Sequence, residues 1–405
     1  MSTHSEKNKI LLGVTGSIAA YKAAELARRY MKRGYQVKAV FSEGAEQFIA
    51  PLTFQAITGN PVLSSWDQEH TQGIGHIEYA DWADLVVIAP ATADILAKYA
   101  AGMADNPLLA VLLATQARIL VAPAMNVNMF HHPATVTNLQ ILRERGVRFV
   151  EPGEGPLACG WRGRGRMAEP WDIFYHTLRA FGDDSLQRKR VLVVTGPTRE
   201  AIDAVRFLSN RSSGKMGVAL AREAFRRGAE VEVIAGPVRT KLPSGVKLSS
   251  VTSAEEMRQA VLARTFPQHG EPPDIVIMAA AVSDVRPKSV VKEKLKKGDL
   301  PKALPLERNP DILAELGEMR EKAGTSTKLV GFAVESGEIE DLIAAVQQKL
   351  SEKKVDMIVG NLAEDSLELD TNRVWMVDKH GRETEVATSF KSRIAEKILQ
   401  HVRKL

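Results

Sequence analysis

The chain has one cysteine, Cys159, in 405 residues. That excludes an internal disulfide and agrees with a reducing compartment, so a cytoplasmic protein is expected. No run approaches the ~18 consecutive apolar residues that cross a bilayer, so no membrane partner is expected. The N-terminus, MSTHSEKNK, is polar and has no apolar signal-peptide core. Charge of one sign is also scarce: 54 basic residues against 49 acidic ones leave +5, too small an excess to argue for nucleic acid. The nine histidines are scattered without metal-ligand spacing, and His131-His132 alone is no metal site, so metal ligands stay unassigned.

Hydrophobic residues make up 44%, as in a globular protein, and the length exceeds what one core usually organises, so two domains are expected. From Lys9 the pattern is strand (Ile10 to Val14), tight turn (Thr15-Gly16-Ser17), amphipathic helix (about Ile18 to Lys32), Gly34 stop and strand (Val37 to Phe41). That is the opening βαβ of a doubly wound sheet. Apolar runs follow at Leu85 to Ile88 and Ile119 to Val121. Ligands of such sheets lie at the carboxyl ends of the strands, so the turns after these runs are the places to look.

The first turn, Gly13 to Ser17, lacks the G-x-G-x-x-G of dinucleotide binders, yet amides at a helix N-terminus can hold one phosphate. The second strand ends at Ser42, a hydroxyl where a nicotinamide enzyme usually offers an acid, although Glu43 keeps that option open. Flavin mononucleotide fits this pattern better. In the next turn Thr92 or Asp94 can cap the following helix; capping suits Asp94, and Thr92 can also reach a ligand. Asn126 leaves the end of a buried strand, and His76 precedes a segment returning to the sheet. The stretch Gly153 to Arg166, GEGPLACGWRGRGR, carries Cys159 among five glycines and three arginines. It reads either as an ordered surface loop or as a flap bringing a proton donor to a substrate.

Gly13-Val-Thr-Gly-Ser-Ile-Ala-Ala-Tyr-Lys22, Gly75-His76-Ile77, Ala89-Pro90-Ala91-Thr92-Ala93, Ala101-Gly102-Met103-Ala104-Asp105-Asn106, Pro123-Ala124-Met125-Asn126 and Ala158-Cys159-Gly160, in this order, closely resemble the homo-oligomeric flavin-containing cysteine decarboxylases. The resemblance implies a flavodoxin-like domain holding FMN with Gly16, Ser17, Ser42 and Thr92, and marks His76, Asn126 and Cys159 as catalytic. In that family FMN oxidises the side-chain thiol of an N-acylated cysteine to a thioaldehyde, which accepts the electrons left as CO2 departs, and an enethiol results. Cys159 then resembles the acid that supplies a proton, since a free thiol with a pKa of about 8.5 is protonated at neutral pH. His76 acts as base or orienting group at the substrate thiol, and Asn126 donates hydrogen bonds to the substrate carboxylate.

After a helical stretch from Trp171 to Phe181, residues 182–190 form a polar connection, and the domains are placed at 1–188 and 189–405. Val191-Leu-Val-Val-Thr-Gly196 echoes Leu11-Leu-Gly-Val-Thr-Gly16, so the same opening architecture is expected twice. Strands are expected at Val231 to Ile234, Ile275 to Met278, Leu329 to Phe332 and Met357 to Val359, a hairpin at Val374 to Val377 with Glu383 to Val386, and a basic, solvated helix over Ser392 to Leu405. Arg206 to Gly217 is not a P-loop, because Met216 follows Lys215 and Ser209 replaces the first glycine. Its Ser/Gly loop either caps a helix or receives phosphate. Small residues at Met278-Ala279-Ala280 allow close approach of a base or ribose; Asp284 suits Mg2+ or a nucleotide hydroxyl. The charge run Val291 to Lys297 is either solvated or ordered over a triphosphate.

Arg206 to Gly217, Ala279 to Arg286, Glu293 to Lys297, Asn309-Pro310-Asp311-Ile312 and Gly331-Phe332-Ala333 together resemble phosphopantothenate-cysteine ligase, the partner activity of a bacterial bifunctional family of coenzyme A biosynthesis. The resemblance implies that 4'-phosphopantothenate and CTP, with Mg2+, form an acyl-cytidylate from which the L-cysteine amine displaces CMP. It assigns CTP contacts to Met278, Ala279, Ala280, Asp284, Lys294, Pro310, Asp311, Ile312, Leu313, Phe332, Lys349 and Lys353. Asn210 binds the acyl-cytidylate, Arg206 supports its conversion, and Lys294 stabilises activation. The resemblance further implies a homo-oligomer, with trimeric flavin units and ligase dimers in a dodecamer. Two rivals stay open at this point, a flavin-binding regulatory module without turnover and a nicotinamide-dependent oxidoreductase.

Overall fold

The computed structural model describes residues 8–66, 75–156, 160–239, 241–296, 303–366 and 368–405. The chain divides into two compact units, Met1–Phe181 and Gly182–Leu405.

In the first unit β1 (Lys9–Val14), β2 (Gln36–Phe41), β3 (Val62–Leu63), β4 (Leu85–Ala91), β5 (Arg118–Pro123) and β6 (Arg148–Phe149) form one sheet in the order β3-β2-β1-β4-β5-β6. Every pairing in it is parallel. A parallel strand covered on both faces must be apolar on both, which is why these strands read as continuous runs. Ile10, Leu12 and Val14 pack with the helices Ala20–Lys32 and Pro170–Ala180, while Leu11, Val86 and Ile88 pack on the other face with helices that include Pro107–Ala114. The strand order reverses between β1 and β4, and the carboxyl ends of those two strands frame a crevice there. The Gly-rich stretch is an antiparallel hairpin of β7 (Gly153–Pro156) and β8 (Arg162–Arg166). Its residues 157–159, and with them Cys159, lie outside the described residues.

The second unit repeats the plan. β9 (Arg190–Pro197), β12 (Glu230–Ala235), β13 (Lys247–Ser250), β14 (Ile275–Ala281), β17 (Lys328–Glu335) and β18 (Met357–Leu362) are parallel neighbours, and β19 (Thr371–Asp378) and β20 (Glu383–Phe390) extend the sheet antiparallel. The order β13-β12-β9-β14-β17-β18-β19-β20 puts the reversal between β9 and β14. Two short hairpins, β10 (Arg199–Ala201) with β11 (Phe207–Ser209) and β15 (Val285–Pro287) with β16 (Leu306–Arg308), grow from the loops after β9 and β14.

The C-terminal helix corrects one expectation. Lys391–Val402 is not a solvated basic face: Ile394, Ala395, Ile398, Leu399 and Val402 are buried with Val191, Val193 and Leu220. The i, i+3/i+4 apolar stripe decides the packing; Arg393, Arg403 and Lys404 stay exposed, whereas Lys391 is buried with its ammonium donating to Ser366 O at 2.9 Å and His401 lies 2.7 Å from the buried Asp378.

Candidate active site

At the first unit's strand reversal lies a cavity of about 510 Å3, within the range of small-molecule sites. The turn after β1 contributes Gly16 and Ser17, the end of β4 contributes Thr92 and Ala93, and the end of β5 contributes Ala124, Met125 and Asn126. Local bonds fix these ends. Thr15 Oγ1 donates to Pro90 O at 2.8 Å and accepts from Thr92 N–H at 3.1 Å, lacing β1 to β4. The Gly16 turn is pressed against the turn after β2, where a Cβ on Gly16 would stand 2.9 Å from Gly44 O. Thr92, and not Asp94, is the N-cap, accepting Ile95 N–H; Asp94 instead pairs with Lys98 at 3.3 Å. Asn126 caps Val127–His131 through Oδ1, which accepts Asn128 N–H at 2.8 Å.

The hairpin closes one side. Met125 N–H donates to Gly165 O at 3.0 Å, and a Cβ on Gly165 would stand 2.4 Å from Met125 O. Glycine at 165, with φ near +148°, is therefore required both by the backbone and by the approach of the two segments. Pro156, Gly165, Arg166 and Met167 line the cavity from this side.

These residues fit FMN. The helix Ala20–Lys32 begins beside Gly16 and Ser17 with no acid in its first turn, a suitable seat for a phosphate, and the walls at Ile18, Ala19, Ala124, Met125 and Met167 are apolar as a flavin ring needs. Among the residues lining this cavity neither His76 nor Ser42 occurs. Ser42 sits one turn away, its N–H donating to Val14 O at 3.0 Å at the head of Glu43–Ala45. His76 is near the start of the helix Gly75–Trp82, its ring 5.8 Å from that of Trp66. The cavity thus collects Asn126 with Gly16, Ser17 and Thr92, the residues expected to meet FMN, and its lining does not include His76.

In the second unit the expected ligase residues gather around the ends of β9, β14 and β17. Asn210 Nδ2 donates to Val282 O at 2.9 Å, Ser283 N–H donates to Thr198 Oγ1 at 3.0 Å, and Asn309 donates to Ser283 O at 2.8 Å and, from its backbone, to Asp284 O at 2.9 Å. A Cβ on Gly217 would stand 2.2 Å from Thr195 Oγ1, so the helix Lys215–Arg226 abuts the end of β9. The charge run is not a free solvated tail where it is described: Leu295 N–H donates to Asp203 at 3.2 Å, and Leu295 O accepts from the Arg206 guanidinium at 2.7 Å. This binds the backbone beside Lys294, itself exposed, to the loop that holds Arg206. Asp203 is held below the usual carboxylate range, chiefly by hydrogen bonds from the backbone of Val205, Arg206 and Leu295.

The remaining residues expected to contact CTP divide by burial. Ala279, Ala280 and Phe332 are half-buried, and Asp284, Pro310 and Asp311 are exposed. Asp311 caps the helix Ile312–Ala323, accepting Ala314 N–H at 3.0 Å, and pairs with Lys353 at 3.0 Å; Lys349 pairs with Glu335 at the end of β17. Met278, Ile312 and Leu313 put their side chains into the core, because the strand and helix that carry them need an apolar face there. A smaller cavity, about 220 Å3, lies at the ends of β9, β12 and β13, lined by Thr195, Gly236, Val238 and Ser250 among others, and none of the expected nucleotide residues is in its lining. Among the described residues no group of three or more His, Cys, Asp or Glu side chains is placed to hold a metal, and no helix is long and apolar enough to cross a membrane.

The family model described as flavoprotein matches residues 1–181, and that of the DNA/pantothenate metabolism flavoprotein C-terminal domain matches residues 186–405. The coenzyme A biosynthesis bifunctional protein CoaBC of Bacillus subtilis (strain 168) is 42% identical over 404 residues, 98% of this chain and 97% of the relative. That of Vibrio parahaemolyticus is 40% identical over 403 residues, 98% of each chain, and that of Escherichia coli (strain K12) is 42% identical over 359 residues, 87% of this chain and 86% of the relative. The chain belongs to the CoaBC family. Lys22, Arg166 and Glu169, which the sequence did not single out, meet at the first cavity. Lys22 stood inside a motif, but nothing in the sequence tells that its ammonium is nearly buried.

Proposed function

We propose that the second unit joins 4'-phosphopantothenate to L-cysteine through an acyl-cytidylate made with CTP, and that the first unit decarboxylates the 4'-phosphopantothenoyl-cysteine so formed to 4'-phosphopantetheine with FMN. Membership of the CoaBC family over nearly the whole chain supports both activities. The observation that carries the decarboxylase reading is the cavity at the β1/β4 reversal, which collects Gly16, Ser17, Thr92 and Asn126. A regulatory flavin module without turnover is not favoured, since it has no need of the ligase unit.

In the first unit Ser17 and the turn at Gly16 hold the phosphate of FMN, and Thr92 approaches it from β4. When bound, FMN supplies an electron-pair acceptor and donor, the means by which a substrate thiol becomes an electron sink for decarboxylation. Asn126 spends Oδ1 on its helix cap and directs Nδ2 as donor to the substrate carboxylate. Cys159 delivers the proton to the enethiol, and His76 takes or orients the proton of the substrate thiol. His76 is not in the lining of the cavity that holds Asn126, and a homo-oligomer completes the site with the histidine of a second copy. Ile18, Tyr21, Phe48 and Met129, each about half exposed or more around the cavity, give such an assembly an apolar surface.

In the second unit a carboxylate must be activated because its oxygen is a poor leaving group. Lys294, beside the anchored Leu295, opposes charge on the CTP phosphates; Asn210 holds the acyl-cytidylate, and Arg206 supports its conversion. Asp284 is the carboxylate that would hold Mg2+ brought with the triphosphate, where the ion would offset the phosphate charge. Both reactions take place in the cytoplasm. The test is a coupled assay with phosphopantothenate, cysteine, Mg2+ and each nucleoside triphosphate, following pyrophosphate and CO2. CTP-dependent pyrophosphate release followed by CO2 release from a yellow protein is expected; neither product with any nucleotide would defeat the reading.

A further inference from the structure

Glu169 stands where two separately anchored walls of the first cavity meet. It precedes the helix Pro170–Ala180 and serves that helix through its backbone, its carbonyl accepting Asp172 N–H at 2.8 Å and Ile173 N–H at 3.1 Å; its side chain makes no capping bond. The carboxylate turns instead to two cavity-lining cations. Oε1 accepts from Lys22 Nζ at 2.9 Å and from the Arg166 guanidinium at 2.7 Å. Lys22 is only 6% exposed, and an ammonium so far from water requires an anionic or hydrogen-bonded partner. It belongs to the helix behind Gly16 and Ser17, whereas Arg166 ends β8, the return arm of the hairpin. Among the described residues, Met125 to Gly165 and Arg164 to Glu151 at 2.6 Å hold the hairpin to the β5 side of the cavity. Glu169 ties it to the β1 side.

We propose that Glu169 is a positioning residue for the decarboxylation, a clasp that seats the hairpin across the cavity by holding Lys22 and Arg166 on one carboxylate oxygen. The inference rests on the decarboxylase reading above. Glutamine at 169 keeps the shape and one acceptor but removes the charge that holds two cations together, and so releases the arm without unpacking the core.

The experiment uses the full-length, FMN-loaded protein. In Glu169→Gln, chymotryptic cleavage after Trp161, which is 53% exposed at the head of β8, is expected to accelerate by about tenfold, because cleavage reports local opening. The kcat for acyl-cysteine decarboxylation is expected to fall by about tenfold to a hundredfold at unchanged KM and FMN content, the signature of misplacement and not of lost binding. Arg166→Met should reproduce the faster cleavage, and the double variant should open no faster than either single one, since both break the same contact. Arg166→Met also carries the test if Glu169→Gln does not fold. Cleavage unchanged within about twofold in the variants, whatever happens to kcat, overturns the clasp, and so does a loss of FMN and of the whole unit's melting transition in both. A parent protein that holds FMN yet releases no CO2 from the acyl-cysteine defeats the decarboxylase reading instead, and the cleavage rates still decide the clasp.

Discussion

Asn126 combines a structural and a chemical task in one amide, and the two can be separated. Its Oδ1 accepts Asn128 N–H and caps a helix, a role that an aspartate performs equally well. Asn126→Asp should therefore keep the fold while replacing the donor at Nδ2 by a negative oxygen facing the substrate carboxylate. CO2 release should fall by about a hundredfold to a thousandfold, as when one preorganised donor is lost, while pyrophosphate release is unchanged. Equal loss of both products would show that the amide's role is structural. Asp378 illustrates a charge with no part in either site. Burial would raise its pKa, but hydrogen bonds from His401, from the Arg382 side chain and from the backbone of His380 and Arg382 outweigh that and hold it at about 2. Its unfolded value is about 3.9, so the stabilisation is complete above that pH and is lost as pH falls through the folded value. Asp378→Asn should lower the melting temperature of the second unit at neutral pH, and the gap from the parent should close on acidification from about pH 4 to about pH 2. A gap that stays constant over that range would exclude the carboxylate as its source.

At the scale of the element, the C-terminal helix shows how far a sequence can mislead by composition. Its lysines, arginines and histidine suggest a solvated face, yet Ile398 is fully buried against the second unit's sheet. Ile398→Ala should cost about 2–5 kcal/mol, the sum of lost transfer energy and a cavity, and should lower the melting of the second unit with FMN content and CO2 release from supplied acyl-cysteine unaffected. The central strands were legible because parallel strands buried on both faces leave continuous apolar runs ending at Thr15-Gly16 and Thr195-Gly196. The hairpin Gly153–Arg166 was not, since its alternating residues are glycine and arginine, a pattern set by close approach to Met125 and Val127 and not by hydrophobicity. The cap at Thr92 was assigned to Asp94, two residues along, because both residue types cap and only the backbone geometry separates them. Asn126, Thr92 and the Gly16 turn could be placed together from strand ends alone, whereas the positions of His76 and Ser42 outside the cavity depend on tertiary placement that no local pattern encodes.

For the whole molecule, the absence of His76 from the lining of the cavity that holds Asn126 makes a prediction about assembly. If a second copy completes the site, a His76→Asn chain and an Asn126→Asp chain, each inactive in CO2 release, should regain part of the activity when co-assembled, because some sites receive both native residues. Absence of any recovery in mixed oligomers would place both residues in one chain's site. The division into units makes another prediction. Each unit has its own two-faced sheet and core, so each is expected to fold and work alone. Where the cut falls matters. Leu186 is 3% exposed within the second unit's core, its N–H donates to Arg227 O at 2.9 Å, and the almost fully buried Arg227 side chain lies 3.7 Å from Asp183 and bonds Ser185 at 3.4 Å. The polar connection is thus folded onto the ligase unit despite a composition that reads as linker. A fragment 182–405 should release pyrophosphate with the parent's kcat, while a fragment 189–405, which leaves Arg227 without these partners and empties the Leu186 site, should be less stable by about 2–5 kcal/mol. Urea melts of the two fragments, followed by pyrophosphate release at each concentration, decide it: coincident midpoints would mean that residues 182–188 add nothing to the ligase fold.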